Sequence, residues 1–211
     1  MFTGLVEELG TVRALTRQGR SAVLEVGAGL VLEDTRIGDS IAINGACQTV
    51  TEQGAGWFRV DSLAATLEKT TLGRLRPGQR VNLERSVTPS TRMGGHFVQG
   101  HVDGTGQVLQ IREDGRNIFF RLRVPKDLTR YLIREGSIAI DGVSLTIAEL
   151  EGEEIEINVI PATWSATCLV DRGAGDPVNL EVDVLARYVE RMLPGASASE
   201  LTFERLRALG Y

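Results

Sequence analysis

Cysteine and histidine are scarce in this 211-residue chain, which has only Cys47, Cys168, His96 and His101. Two cysteines are too few for the disulfide framework of a small secreted domain. The four residues also lack the Cys-x-x-Cys and His-x-x-x-His spacings of zinc ligands, and the two histidines lie five positions apart, a poor spacing for one helix face. The sequence therefore predicts neither a disulfide scaffold nor a bound metal.

Long apolar runs and basic clusters are also missing. No stretch approaches the roughly 20 apolar residues that a membrane-spanning helix needs, and the acidic N-terminus does not resemble a signal peptide. The 28 acidic residues outnumber the 23 basic ones, whereas nucleic-acid-binding proteins usually present a basic face. We therefore expect a cytoplasmic protein that binds neither membrane nor nucleic acid.

The two halves of the chain carry the same pattern, 97 residues apart. The string SIAI at 40–43 returns at 137–140, and VNLE at 81–84 returns at 178–181. This period exceeds the roughly 20–50 residues of solenoid repeats, so it indicates two domains of like fold from one duplicated ancestor. The copies differ at three chemically useful places: Cys47 against Ser144, Leu5 against His101, and Ser86 against Asp183.

Both halves alternate with the period of β-strands. Short β-branched or aromatic runs, such as 23–26, 58–60, 119–124 and 155–158, are separated by breaks rich in glycine, of which the chain has 24. Many short strands with frequent turns favour sandwiches or barrels. Closure into a barrel removes the exposed sheet edges of a small domain of about six strands.

One short helix is predicted in each half. Residues 64–72 end at Gly73, a natural helix stop, and residues 125–132 begin with a proline and precede Gly136.

A further helix is predicted beyond the second repeat. Its apolar residues follow helical spacing and form one stripe: Leu185, Tyr188, Val189, Met192 and Leu193. The stripe either packs on its own domain or contacts another chain. Ser197 with Glu200 resembles a capping box for a last helix that runs to Gly210.

Six strings spread in order along the chain carry a specific resemblance. They are MFTGLV at 1–6, NGACQTV at 44–50, TLEKTTLG at 66–73, GGHFVQGHVDGTG at 94–106, GSIAIDGVSLTI at 136–147 and VNLEVDVLARYVERML at 178–193. Together they resemble the riboflavin synthase family of the α-subunit type, from Met1 to about Leu193.

The resemblance implies an all-β fold of two tandem six-stranded Greek-key β-barrels with a C-terminal α-helix. The implied domains are a lumazine-binding barrel at 1–87, a second at 97–183, and a helical segment at 184–211 that helps build a homotrimer. In this family the active site forms between the N-terminal barrel of one subunit and the C-terminal barrel of its neighbour.

The implied reaction is a dismutation of two molecules of 6,7-dimethyl-8-ribityllumazine. One molecule donates a four-carbon unit to the other, which gives riboflavin and 5-amino-6-ribitylaminouracil without a metal or redox cofactor. Two similar pockets that differ in a few reactive groups suit one substrate in two roles. Holding both molecules face to face can contribute roughly 7–11 kcal/mol through effective molarity.

Matched residue by residue, the family's catalytic positions fall on Cys47, His101, Ser144, Asp183 and Ser40. Cys47 is either a small buried hydrophobe or a group that contacts and activates lumazine. A histidine can move protons near pH 7, and we prefer His101 to His96 because the family motif places its site histidine there. Asp183 is also a good helix N-cap. The repeat partner of Ser40, Ser137, supports a structural role equally well.

The implied lumazine-binding positions lie on the N-terminal strands of the two barrels, around the Cys/Ser pair and on two closing loops. In the first repeat they are Gly4, Leu5, Val6, Cys47, Gln48, Thr49, Asp61, Ser62, Leu63, Ala64, Ala65 and Thr66. In the second repeat they are Gly100, His101, Val102, Glu135, Ser144, Leu145, Thr146, Asn158, Val159, Ile160, Pro161, Ala162 and Thr163.

The chain also departs from the family pattern. Glu135 stands where a lysine is frequent, and a carboxylate that touched the ligand there would repel an anionic lumazine, whereas one that points into solvent would change nothing. Gln48 stands where an apolar residue is usual, and Ala64-Ala65 replaces a bulkier pair.

Two other functions compete with the enzyme. The lumazine-binding antenna proteins share the duplicated barrel but do not turn over their ligand, and retention of Cys47, His101, Ser144 and Asp183 favours the enzyme over them. A flavin-dependent reductase barrel is the more distant alternative, and no nicotinamide-binding glycine fingerprint supports it.

Overall fold

The computed structural model describes residues 1–193, which form two closed barrels of six antiparallel strands. The first barrel contains β1 (Glu8–Gln18), β2 (Ser21–Gly27), β3 (Ser40–Ile43), β4 (Ala46–Gly54), β5 (Trp57–Ser62) and β6 (Arg80–Arg85). The second contains β7 (Gly104–Asp114), β8 (Asn117–Arg123), β9 (Ser137–Ile140), β10 (Val143–Glu151), β11 (Glu154–Val159) and β12 (Pro177–Val182). Both run in the equivalent order around the barrel, β1-β2-β5-β4-β3-β6 in the first. The predicted pair of Greek-key barrels is confirmed.

The barrel interiors are filled by side chains. In β2 the buried residues Ala22, Leu24 and Val26 alternate with less buried ones, as the period of a strand requires. Two fully buried phenylalanines, Phe58 and Phe120, lie in the two separate cores. Because a barrel this narrow has room only for its own side chains, a ligand must bind against the outside of the wall.

The helix predicted at 64–72 ends early. Helix α1 spans Ala64–Lys69, and a 3-10 helix follows at Thr71–Arg74. The break lies at Thr70, whose backbone is extended and whose hydroxyl donates to the Thr66 carbonyl at 2.7 Å while it accepts from the Leu72 amide at 3.1 Å. This side chain satisfies both backbone groups, so the α-helix need not continue.

The prediction of a helix at 125–132 is wrong. That segment holds only a 3-10 helix at Thr129–Tyr131, stabilised by bonds between residues three positions apart. Helix α2 of the second half lies instead at Pro161–Ala166, where a closing loop was expected. It is the repeat equivalent of α1.

Helix α3 spans Val184–Met192, close to the prediction. The capping box at Ser197 and Glu200 and the last helix to Gly210 lie outside the described residues. Within residues 1–193, no helix is long and apolar enough to cross a membrane.

The two barrels meet along a polar seam with approximate two-fold symmetry. The amide nitrogen of the Asn82 side chain donates to the Asp141 carbonyl, and that of Asn179 donates to the Asn44 carbonyl, both at 2.8 Å. Each bond joins one half of the chain to the other, so the seam sets how the barrels are oriented.

Candidate functional site

The segments that precede the two barrels lie on the opposite barrel. We call residues 2–5 the first arm and residues 98–101 the second arm. The Gly4 carbonyl accepts from the Ser144 amide at 2.8 Å, and the Gly100 carbonyl accepts from the Cys47 amide at 2.9 Å. The arms therefore bring a residue of one half to the reactive position of the other.

The prediction that Gly4–Val6 and Gly100–Val102 are the N-terminal strands of the barrels is wrong. The strands begin later, at Glu8 and Gly104. Positive φ angles at Gly4 (75°) and Gly100 (80°) turn each arm out of extended conformation. A Cβ at either glycine would come within 2.6 Å of the Cβ of Ser144 or Cys47, so only glycine permits this approach.

The valines that follow the arms also cross over. Val102 is buried in the core of the first barrel, and Val6 packs against the core of the second. The arms are thus anchored in the opposite barrel by apolar contacts as well as by backbone hydrogen bonds.

The outer face of β3 and β4, beside the second arm, is the first candidate site, and we call it the first pocket. Cys47 and Thr49 alternate with buried residues along β4, so both point outward, and Ser40 pairs with Thr49 across the strands. Cys47 is half-buried, and His101 is the last residue of the second arm, directly after the glycine whose carbonyl accepts from the Cys47 amide. The structure therefore gathers the predicted residues Ser40, Cys47, Thr49 and His101 on one side of the first barrel.

Gln48 and Ser62 point inward instead. The Ser62 hydroxyl donates to Oε1 of Gln48 at 2.7 Å, and both side chains are buried. Their repeat partners are Leu145 and Val159, so a polar pair in one barrel corresponds to an apolar pair in the other. Nε2 of Gln48 donates a hydrogen bond to the Cys47 carbonyl at 2.6 Å and so stabilises β4 at Cys47.

The equivalent face of the second barrel, beside the first arm, is the second candidate site, and we call it the second pocket. Ser144 takes the position of Cys47, and Leu5 follows Gly4 as His101 follows Gly100. Thr146 is exposed two positions further along β10. The two pockets share a framework and differ in their reactive groups.

His96 belongs to this second pocket, although the motif argument preferred His101. Its Nδ1 lies 2.7 Å from the Ser144 hydroxyl, and its backbone amide donates to the Thr3 carbonyl at 3.2 Å. Burial lowers the pKa of His96, and the negative charge of Asp183 partly opposes this. Within residues 1–193, the buried Nε2 atom has no hydrogen-bond partner. Burial thus favours the uncharged imidazole, which lies beside the Ser144 hydroxyl and has a buried second ring nitrogen.

Asp183 is the N-cap of α3, since its Oδ1 accepts from the Leu185 amide at 2.9 Å. It also lines a cavity of about 570 Å³ between α3 and the second barrel, together with Ser137 and Tyr131. The N-cap role is thus confirmed, and the charge lies near enough to His96 to affect its pKa.

Exposed apolar side chains flank both pockets at the predicted closing loops. Leu63 is 67% exposed at the start of α1, and Ile160 is 61% exposed at the start of α2. The two predicted loops, at 61–66 and 158–163, are mostly regular structure instead. Each consists of the end of a strand, β5 or β11, and the first turn of a helix, α1 or α2.

Glu135 is exposed and has a positive φ of 64°, at the position where the first repeat has Gly38. The exposed side chain corresponds to the alternative in which the carboxylate points into solvent. Within the part of the chain that the structure describes, no three His, Cys, Asp or Glu side chains cluster as metal ligands.

The two closed barrels, with their equivalent outer-wall faces, define a protein built from a duplicated β-barrel. A family model described as Lumazine binding domain matches residues 3–86 and again residues 99–183. The family of the two repeats is thus shown over most of the chain.

Several relatives named riboflavin synthase match most or all of the chain. The riboflavin synthase of Actinobacillus pleuropneumoniae is 39% identical over all of both chains. The riboflavin synthase of Bacillus subtilis is 40% identical over 95% of this chain and 93% of its own length. The riboflavin synthase of Mycobacterium bovis is 44% identical over 93% of this chain and all of its own length. The chain belongs to the riboflavin synthase family.

Solved structures of a binding protein are similar as well. A crystal structure of LumP complexed with riboflavin has a TM-score of 0.81 and 26% identity, and covers 86% of this chain and 99% of its own. The complex of LumP with 6,7-dimethyl-8-(1'-D-ribityl) lumazine has a TM-score of 0.79 and 27% identity over the same shares.

Proposed function

We propose that this protein is a transferase, a riboflavin synthase that converts two molecules of 6,7-dimethyl-8-ribityllumazine into riboflavin and 5-amino-6-ribitylaminouracil. The observation that carries the proposal is the pair of like pockets with unlike reactive groups, Cys47 beside the second arm and Ser144 beside His96. One substrate in two roles, donor and acceptor, requires this combination of similarity and difference. The curated relatives support the same activity.

The residues of each pocket suit different tasks in this chemistry. We assign proton removal from the acidic C7 methyl group of lumazine to His101, and activation of the ring in the first pocket to Cys47. In the second pocket the neutral His96 can accept the proton of the Ser144 hydroxyl, which lies 2.7 Å away. Asp183 faces the same region and would stabilise positive charge on His96.

The decisive experiment is incubation of the purified protein with 6,7-dimethyl-8-ribityllumazine alone, followed by riboflavin absorbance. We expect riboflavin and the pyrimidine product in equal amounts. Cys47→Ser tests the nucleophile assignment, because full turnover by that variant would exclude it. His96→Ala and His101→Ala tell the two histidines apart, since each should impair only the step of its own pocket.

A non-catalytic antenna protein is the second candidate, favoured by the TM-score of 0.81 to LumP. The same incubation separates the two functions. Tight binding with unchanged lumazine would indicate the antenna protein and overturn the synthase.

We also propose that the chain assembles as a homotrimer through α3. The polar side of this helix is tied to its own barrel, since Glu190 accepts from the Tyr131 hydroxyl at 2.7 Å and pairs with Arg130. Its apolar stripe is left outward, with Met192 76% exposed and Tyr188 59% exposed. A second copy of the chain would cover that stripe and place the first pocket of one subunit opposite the second pocket of another.

The trimer predicts a clear effect of charge on the stripe. Met192→Glu should convert the trimer into monomers, because a carboxylate would be buried without a partner at the contact. Light scattering measures the mass directly. Leu30→Glu, at an exposed apolar residue away from α3, is the control and should leave the mass unchanged. A wild-type monomer, or a trimer that survives Met192→Glu, would contradict the proposal.

A further inference from the structure

Two buried carboxylates hold the arms. Glu84 on β6 accepts hydrogen bonds from the Thr3 amide at 2.6 Å, the Thr3 hydroxyl at 2.8 Å and the Gly4 amide at 3.0 Å. Glu181 on β12 accepts from the Gln99 amide at 2.5 Å and the Gly100 amide at 3.0 Å. The two glutamates are repeat equivalents, and their exposed fractions are only 6% and 5%.

Each arm is therefore held from both sides. Its amides are bonded to a carboxylate of its own barrel, and its glycine carbonyl is bonded to the wall of the other barrel. Since an arm turns out of extended conformation at its glycine, these amides have no neighbouring strand to pair with, and the carboxylates satisfy them. Burial of a carboxylate costs free energy unless its oxygens accept hydrogen bonds. Here those hydrogen bonds come from the arms.

We propose that Glu181 and Glu84 are positioning residues, one for each pocket. Glu181 holds Gly100 on Cys47 and so sets the position of His101 in the first pocket. Glu84 holds Gly4 on Ser144 in the second pocket, where Thr3 also supports His96. The effect on turnover depends on the proposed synthase function, whereas the effect on the arms does not.

The two cysteines provide a local reporter and a global one. Cys47 is half-buried under the second arm, whereas Cys168 is fully buried at the seam and becomes accessible only when the barrels open. Alkylation of each by iodoacetamide, followed by mass spectrometry at pH 8, therefore separates loosening of the second arm from loss of the fold.

The test compares Glu181→Gln with its repeat equivalent, Glu84→Gln. Glu181→Gln should raise the alkylation rate of Cys47 by about tenfold or more, the change expected when one charge-assisted hydrogen bond is lost. Cys168 should not change, and Glu84→Gln should leave Cys47 as in the wild type. If Glu181→Gln does not fold, Glu181→Asp keeps the charge but is one methylene too short to reach the amides, and the same result is expected.

Three results would overturn the proposal. They are an unchanged Cys47 in the Glu181 variant, a parallel rise of Cys47 and Cys168, and an equal rise of Cys47 in Glu84→Gln. Turnover adds a separate criterion, because misplacement of the arm should lower kcat on the order of 10²-fold in each variant. A wild-type protein that makes no riboflavin would refute the proposed synthase function. The alkylation result would still decide whether the glutamates position the arms.

Discussion

At the scale of single residues, the two cysteines show how surroundings decide reactivity. Cys168 is fully buried, and burial raises the pKa of its thiol to about 12, with the nearby charge of Asp141 adding to the effect. It therefore stays protonated and unreactive at neutral pH. Cys47 lies half-buried on the outer wall of a pocket. Of the two thiols, only Cys47 is placed to meet a ligand.

Glu181 predicts a specific pH dependence of stability. Burial raises its pKa from 4.5 to about 7, against the hydrogen bonds from the Gln99 and Gly100 amides, and Asp103 raises it further. Between pH 4.5 and about 7 the unfolded chain loses this proton while the folded chain keeps it. The contribution of this group to stability is therefore present below pH 4.5 and is lost as the pH rises to about 7.

Replacement by glutamine removes this titration. Relative to the wild type, the free energy of unfolding of Glu181→Gln should increase as the pH rises through that window, by on the order of 3 kcal/mol in total, because only the wild type loses stability there. Urea unfolding at several pH values from 4 to 8 measures it. Glu84→Gln should show the same sign, because burial also raises the pKa of Glu84. A difference that does not vary with pH would contradict the assignment.

At the scale of elements, the arms depend on glycine. Gly100 has a φ of 80°, and a Cβ there would also lie 2.8 Å from the Phe2 ring. Gly115 in the turn between β7 and β8 has a φ of 62° but open space around it. The two positions separate backbone strain from crowding.

Alanine should therefore cost more free energy of unfolding at Gly100 than at Gly115. Gly115→Ala should cost about 1–2 kcal/mol, the strain of a left-handed alanine. Gly100→Ala should cost about 1–3 kcal/mol more, because Cys47 and Phe2 must move, and it should also weaken riboflavin binding in the first pocket. Urea unfolding and a riboflavin titration check both results. Equal costs at the two glycines would mean that the second arm does not lie against Cys47.

The helices α1 and α2 lie at equivalent positions of the two repeats. The sequence predicted a helix at 64–72 but a loop at 158–163, which overlaps the equivalent residues 161–169, and it predicted a helix at 125–132 from Pro125 and Gly136. Pro125 begins a turn, in which its carbonyl accepts from the Leu128 amide at 3.0 Å, three positions along the chain. The repeat was a better guide to helix position than local helix signals.

At the scale of the whole molecule, the seam is less symmetric than the barrels. Asp141 is fully buried and accepts from Nη2 of Arg172 at 2.6 Å and from its Nε at 2.9 Å. The equivalent residues of the first repeat are Asn44 and Leu75, which carry no charge. Both Asn44 and Asp141 accept from a seam asparagine amide at 2.8 Å, so either residue type supports the contact.

This asymmetry predicts a rescue. Arg172→Leu should cost about 3–5 kcal/mol of stability, because it leaves the Asp141 charge buried without a partner. Adding Asp141→Asn, which copies the pair of the first repeat, should restore most of that loss. Thermal and urea unfolding of the two single variants and the double variant measure the coupling. Additive losses without rescue would show that the two halves of the seam are not interchangeable.

The sequence by itself determined the duplication, the all-β class, the C-terminal helix and the correspondence of Cys47 with Ser144, while the pair of six-stranded barrels came from the family resemblance. These features leave a local signal, either a period of two, a stripe at helical spacing or a repeated string. Family resemblance added the reaction and the residues to examine, including His101.

Only the tertiary structure decided how the halves exchange residues. The bond between His96 and Ser144 joins residues 48 positions apart, and that between Gly100 and Glu181 joins residues 81 positions apart. Neither bond produces a periodic pattern in the sequence, because each depends on how the arms cross to the opposite barrel and on the seam between the barrels. The outward direction of Cys47 and the inward direction of Gln48 were likewise decided when β4 closed into its barrel and buried one face of the strand.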